Sequence, residues 1–315
     1  MRNAFANEIT TLAADDERIV LLSGDIGNRL FDRFKDQAPA RFVNAGVAEA
    51  NMMGVAAGLA LSGLRPVVYT ITPFVTTRCY EQIRVDVCYH RAPVVIVGTG
   101  AGLSYAGLGP THHSCEDLAI MRVLPNLTVV APGDSWEVRA ALRAALAHDG
   151  PVYLRIGKKG EPDVHRALPD LVLGRGMVLN EGSDVCLIGT GVLLPTVLDA
   201  AARLAARGVS ARTVSLPTIK PLDEALLADC FRRFAVVATV EEHSVLGGLG
   251  GAVAEWLADQ EPPQARLLRF GTADAFLSLA GETEHAREQF GLTAEEIADR
   301  VAERFERVGL TARPR

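Results

Sequence analysis

The residues able to do chemistry fall in a few short stretches. Glu49 opens a run, Ala50 to Ser62, that is uncharged and mostly small, with Gly54 and Gly58 one helical turn apart. Such a helix is buried, and something packs close against it. A carboxylate at its first turn either caps the helix, where the positive end of the dipole favours an anion, or is paired or chemically employed. His112 and His113 follow a rigid Gly109-Pro110-Thr111 turn. Adjacent side chains cannot both face one core, and imidazole near neutral pH exchanges protons with hydroxyl groups. A metal site is the rival reading, but vicinal histidines rarely chelate one ion and no third ligand has a suitable spacing. Asp25, within Ser23-Gly24-Asp25-Ile26-Gly27, ends an apolar strand, where open α/β sheets bind ligands and where Asp also serves as a turn residue. Arg155 ends another strand and precedes Gly157-Lys158-Lys159-Gly160; its planar guanidinium suits bidentate phosphate binding, and the lysines either add field or form a solvated turn.

The elements that must hold these residues alternate between apolar strands and helices, the signature of an open parallel sheet wrapped by helices. Strands are predicted at 19–23, 42–44, 66–71, 94–97, 127–131 and 152–156, with helices after Glu49 and at 73–89, 116–123 and 135–148. Gly157 to Pro169 is polar and Pro-rich and reads as a linker. A second alternating set follows, with strands at 184–189, 210–216, 235–240 and 266–270 and helices at 195–207, 223–231, 250–258 and 293–305. The last helix carries a Thr293-x-x-Glu296 capping box. The fold class is α/β: two consecutive open, mostly parallel sheets with helices on both faces, as domains 1–160 and 176–315 joined by a linker at 161–175.

Composition narrows the function. At 315 residues the chain is long enough for two cores. A net charge of −6 with scattered basic residues gives no footprint for nucleic acid or an anionic membrane. No signal peptide or bilayer-length apolar run is present, which predicts a cytoplasmic location. The five cysteines, 79, 88, 115, 186 and 230, contain no C-x-x-C pair and read as reduced, packed thiols, with Cys115 beside the histidines the one of interest.

The block Asn44-Ala-Gly-Val-Ala-Glu49 with Gly54 and Gly58, together with Gly109-Pro110-Thr111-His112, resembles the carboxyl-terminal half of transketolases, and the resemblance covers nearly the whole chain. It implies a thiamine-diphosphate pyrimidine-binding domain followed by a transketolase C-terminal domain. By that resemblance Glu49 hydrogen-bonds a ring nitrogen of the cofactor's aminopyrimidine, Phe74 stacks on the ring, Ile71 stands where many relatives carry a further aromatic residue, and Asp25 lies near the thiazolium. His112, assisted by His113, contacts substrate, and Arg155 grips a sugar phosphate. Two positions depart from the family pattern: Leu108 replaces an acid that reads an acceptor hydroxyl, and Gly100 replaces a histidine near the substrate phosphate, which points to a sugar outside the common pentose-phosphate set. The glycine cluster Gly247 to Gly251 resembles the family's second domain and reads as helix packing and subunit contact in preference to a phosphate cradle.

No Gly-Asp-Gly occurs in the chain, so the segment that holds the diphosphate through Mg²⁺ is missing. The resemblance therefore implies one subunit of a split transketolase, active with an N-terminal partner that supplies the metal and diphosphate site, in a heterotetramer of two plus two. The metal role of this chain's own residues is none. The reaction implied is transfer of a two-carbon ketol unit from a ketose to an aldose. The rivals are a 2-oxoacid dehydrogenase beta subunit, a deoxyxylulose-phosphate-synthase-like enzyme and a non-catalytic scaffold subunit.

Overall fold

The computed structural model of the chain describes residues 1–27, 29–261, 265–277 and 281–311. Six strands arise in the first half: β1 (Ile19–Ser23), β2 (Phe42–Asn44), β3 (Arg65–Ile71), β4 (Val95–Thr99), β5 (Thr128–Val130) and β6 (Val152–Ile156). They pair in parallel in the order β5-β6-β4-β3-β1-β2. Every residue of β1, β4, β5 and β6 is buried, as a sheet covered by helices on both faces requires.

The second half contributes β7 (Met177–Asn180), β8 (Val185–Gly189), β9 (Ala211–Ser215), β10 (Thr218–Lys220), β11 (Val236–Ser244) and β12 (Arg266–Thr272). Five of these form a sheet ordered β12-β11-β8-β9-β7, antiparallel at β7–β9. The fold class is as expected from the sequence.

β10 crosses over and pairs antiparallel with β5, as the seventh strand of the first sheet. Neither β7 nor β10 was expected. β10 is three residues long between Pro217 and Pro221, and a short edge strand bracketed by prolines carries no periodic signal. It ties the halves together: Lys220 Nζ donates to the carbonyls of Arg122, at 3.0 Å, and Leu124.

The helix expected over 73–89 is broken. Thr72–Thr76 is helical, 77–79 is a turn, Tyr80–Gln82 is helical again and Ile83–Tyr89 is a wider π-type segment. Thr76 and Thr77 donate their hydroxyls back to the carbonyls of Thr72 and Pro73, at 2.8 and 2.5 Å, and such bonds compete with a regular helix. The terminal helix Ala294–Thr311 starts as expected, with Glu296 N donating to Thr293 Oγ1 at 3.2 Å. Among the described residues no helix is long and apolar enough to cross a membrane.

Candidate active site

The carboxyl ends of β1, β2, β3 and β4 deliver the candidate residues to one edge of the first sheet, the end at which parallel α/β sheets bind ligands. β2 leads into the helix Glu49–Leu61, β3 into the short helix carrying Phe74, and β4 into the loop carrying Tyr105 and His112. Glu49 is buried at the first position of its helix and accepts from Arg78 Nη1 at 3.1 Å. The Arg78 guanidinium carbon lies 3.8 Å from the centre of the Phe74 ring, and Phe74 meets His112 edge-on with ring centres 5.3 Å apart. His112 Nδ1 is 2.9 Å from Thr111 Oγ1, and its Nε2 makes no hydrogen bond among the described residues. Burial, then the Arg78 charge and His113, hold the His112 imidazolium below its ordinary pKa, so the ring is neutral at neutral pH.

A carboxylate, an aromatic face and a neutral imidazole thus stand in a row. Arg78 occupies the first two at once: its planar cation stacks on Phe74 while an N–H donates to Glu49. A flat heterocycle bearing N–H donors would make the same two contacts, so the residues present fit such a ring.

Asp25 is exposed at the end of β1, where Asn44 Nδ2 donates to its Oδ1 at 3.1 Å and its own N–H donates to Gly46 O. It therefore stands beside the turn that enters the Glu49 helix. Ile71 ends β3 and precedes the helix of Phe74, half-buried.

Two expected residues point elsewhere. Arg155 is interior: its Nε donates to Asp117 Oδ2 at 2.7 Å, and its Nη2 to Asp117 Oδ1, Ser114 O and Glu242 O. At 2% exposure, with Nε and Nη2 bonded to three partners, Arg155 is not presented to the Phe74–His112 row. It ties the histidine loop to β11, and Asp117, with Tyr153 and Glu242, more than offsets the burial that works against its charge. His113 is buried too, its Nε2 bonded to Ala106 O at 3.2 Å; it lines a cavity of about 490 Å³ with Cys115 and Phe276, away from Phe74. The two histidines part, and only His112 faces the row. In that cavity burial pushes the Cys115 thiol up to about 12, so packing is its part.

The glycine cluster is also resolved by a neighbour. Glu241 accepts from the N–H groups of Leu249 and Gly250 at 2.6 and 2.7 Å, and a Cβ at Gly248 would lie 2.1 Å from its Oε2. The start of the helix Leu249–Ala258 is filled by this side chain, leaving no phosphate cradle.

The structure adds Arg78, Tyr105 and Arg2, which sequence reasoning missed. Arg78 could have been found from its spacing, four residues beyond Phe74. At the far side of His112 the Tyr105 ring centre is 6.1 Å away, Lys158 Nζ sits 4.6 Å from the Tyr105 ring centre, and the Arg2 charge lies close enough to work against the burial that raises the Tyr105 pKa. Arg2 Nε is buried with no hydrogen-bond partner among the described residues.

Comparisons with known proteins place the chain in a family. The chain matches the models of the transketolase pyrimidine-binding domain over residues 1–161 and of the transketolase C-terminal domain over residues 174–297. It is 39% identical to the 6-deoxy-6-sulfo-D-fructose transketolase subunit SqwH of Clostridium sp. (strain MSTE9), over 98% of this chain and 95% of that protein. It is 37% identical to one of the subunits of the apulose-4-phosphate transketolase of Actinobacillus succinogenes, over 84% of this chain and 85% of that protein. A solved split-gene transketolase, described as an inactive beta4 tetramer, superposes with a TM-score of 0.89 at 38% identity, covering 97% of this chain and 98% of that one. The chain belongs to the transketolase family, and it comprises that family's pyrimidine-binding domain followed by its C-terminal domain.

Proposed function

We propose that this chain is the C-terminal subunit of a two-component, thiamine-diphosphate-dependent transketolase, which moves a two-carbon ketol unit from a ketose to an aldose acceptor. The observation that carries the reading is the Glu49–Phe74–His112 row, whose first two members already hold a flat N–H donor in Arg78. When bound, the cofactor would supply the carbon nucleophile that retains the two-carbon fragment.

The chain's own residues do the rest. With Arg78 moved aside, Glu49 Oε1 would accept a hydrogen bond from the cofactor's aminopyrimidine ring, and Phe74 and Ile71 would pack against that ring. Asp25 adds a carboxylate beside the entry to the Glu49 helix. His112 Nε2, neutral at working pH, accepts and returns hydroxyl protons of the sugar. The anionic end of the sugar is held by Arg2 and Lys158 around Tyr105, in the place first assigned to Arg155. The relatives' substrates named above, a sulfonated fructose and a phosphorylated sugar, both end in a tetrahedral oxyanion, which such a pair of cations suits.

A partner subunit would carry the diphosphate site and Mg²⁺. Its docking face is the helix Glu49–Leu61 with the neighbouring segment Ile83–Tyr89: Val47 (77%), Val55 (43%) and Tyr89 (80%) are exposed there. A Cβ built on Gly58 meets nothing within 4 Å, and one on Gly54 meets only Asp86 Oδ2 at 3.8 Å, so another backbone can approach closely. The solved neighbour's description as an inactive tetramer of one chain supports dependence on a second subunit, and a heterotetramer of two plus two is the assembly we propose.

The test is to co-express the chain with a companion bearing Gly-Asp-Gly and to titrate thiamine diphosphate and Mg²⁺ into the pair and into each chain alone. Tight binding and ketol transfer in the pair only is the expected outcome. Cofactor binding by neither would move the reading to a non-catalytic subunit.

A further inference from the structure

Gly100 has a positive φ of +74°, and a Cβ built on it would lie 1.9 Å from Tyr105 Cε2 and 2.3 Å from Cδ2. The ring and a side chain at position 100 therefore exclude each other, and the residue that lies over the strand end after β4 is chosen by this pair. The ring is held in place. Leu108 N donates to Tyr105 O at 2.8 Å, and the loop is closed at its base by reciprocal bonds between Gly102 and Ser114. Around the ring stand His112, Lys158 and Arg2, with Glu161 also close enough to act on the phenol.

We propose that Tyr105 is a specificity-determining residue of this site: its ring fills the space over Gly100 and narrows the channel beyond His112, and its hydroxyl meets the tetrahedral oxyanion at the tail of the substrate. The inference rests on the transketolase reading above and deepens it, because it says which residue sets the shape of the tail pocket. The hydroxyl is uncharged at neutral pH, since burial raises its pKa, and it contributes direction where Arg2 and Lys158 contribute charge. A phosphate ester and a sulfonate share this chemistry and differ in ionisation.

The experiment uses the full chain alone, with glycerol 3-phosphate and 2,3-dihydroxypropane-1-sulfonate as probes, and reads affinity from the shift of histidine ring signals by nuclear magnetic resonance. Tyr105→Phe should weaken the preferred probe about tenfold, the scale of one hydrogen bond to a charged group, with the melting temperature unmoved. Gly100→Ala should abolish binding, because its Cβ would displace the Tyr105 ring. Phosphate-ester binding should rise with pH through the second ionisation at about 6, whereas sulfonate binding should stay flat, so the profile names the tail. The proposal is overturned if neither probe binds the wild-type chain, if Tyr105→Phe binds as wild type does, or if Gly100→Ala is tolerated beside Tyr105. The measurement uses neither cofactor nor partner, so its failure is distinct from failure of the cofactor titration that tests the parent reading.

Discussion

Two charged clusters share the loop that follows β4 and are built in opposite ways. Behind the loop, Asp117, Tyr153, Arg155 and Glu242 form a buried network. Tyr153 and Arg155 donate to Asp117, Arg155 holds the carbonyls of Ser114 and Glu242, and the Glu242 carboxylate takes Leu103 N at 2.8 Å and Arg287 Nε at 2.5 Å. In front of the loop, Glu49 is answered by Arg78, whose side chain is 45% exposed, and Phe74 and His112 are half-buried. Charges desolvated together hold shape, because separating them strands an ion in a poor solvent. A charge answered by a long exposed side chain can change partners at little cost. The difference separates a cluster built to hold shape from one free to exchange partners.

Removing one partner should expose that contrast most strongly behind the loop. Arg155→Met leaves Asp117 as a buried unpaired acid and should lower unfolding free energy by about 3–5 kcal/mol, read from urea midpoints. A loss below about 1 kcal/mol would mean the network does not hold the two halves together. In front of the loop the same kind of change should strike function. Glu49→Gln should reduce ketol transfer in the assembled pair by at least about hundredfold while leaving the urea midpoint in place, and near-normal turnover would sink the assigned role.

A third site, on the linker, sharpens the comparison through pH. His165 Nδ1 lies 2.9 Å from Asp134 Oδ2 and 3.8 Å from Glu137 Oε1, with Asp163 nearby. The bond to Asp134 raises the His165 pKa above 6.5, although burial works against it. A raised folded-state pKa gives stability that is fully present below the unfolded value and is lost as pH rises through the folded one. The wild type should therefore exceed His165→Asn most below about pH 6.5, with the gap shrinking above it; a gap that grows with pH would reverse the assignment. The smallest effect belongs to Arg78→Ala, which should change stability by about 1 kcal/mol or less, because Arg78 is 45% exposed and its removal opens the buried Glu49 carboxylate to water. A large loss in that variant would place the front cluster among the structural ones.

Local pattern alone determined the alternation of strands and helices, the small-residue helix after Glu49, the capped terminal helix and the Gly-Pro-Thr-His turn, since each is written in neighbours one to four residues apart; that helix, expected to be buried, leaves the face with Val55, Gly58 and Leu61 exposed. The two residues heading the site, Glu49 and His112, were legible for the same reason: an acid entering an apolar helix and an imidazole after a rigid turn are local anomalies. Tertiary structure alone decided the fate of Arg155, the inward turn of His113, the crossing of β10 and the seat of Tyr105 on Gly100. Arg155 meets Asp117 across 38 residues and Glu242 across 87. Whether a charge at a strand end faces a ligand or a partner depends on what the rest of the chain brings to it, and burial, unlike periodicity, has no local signature.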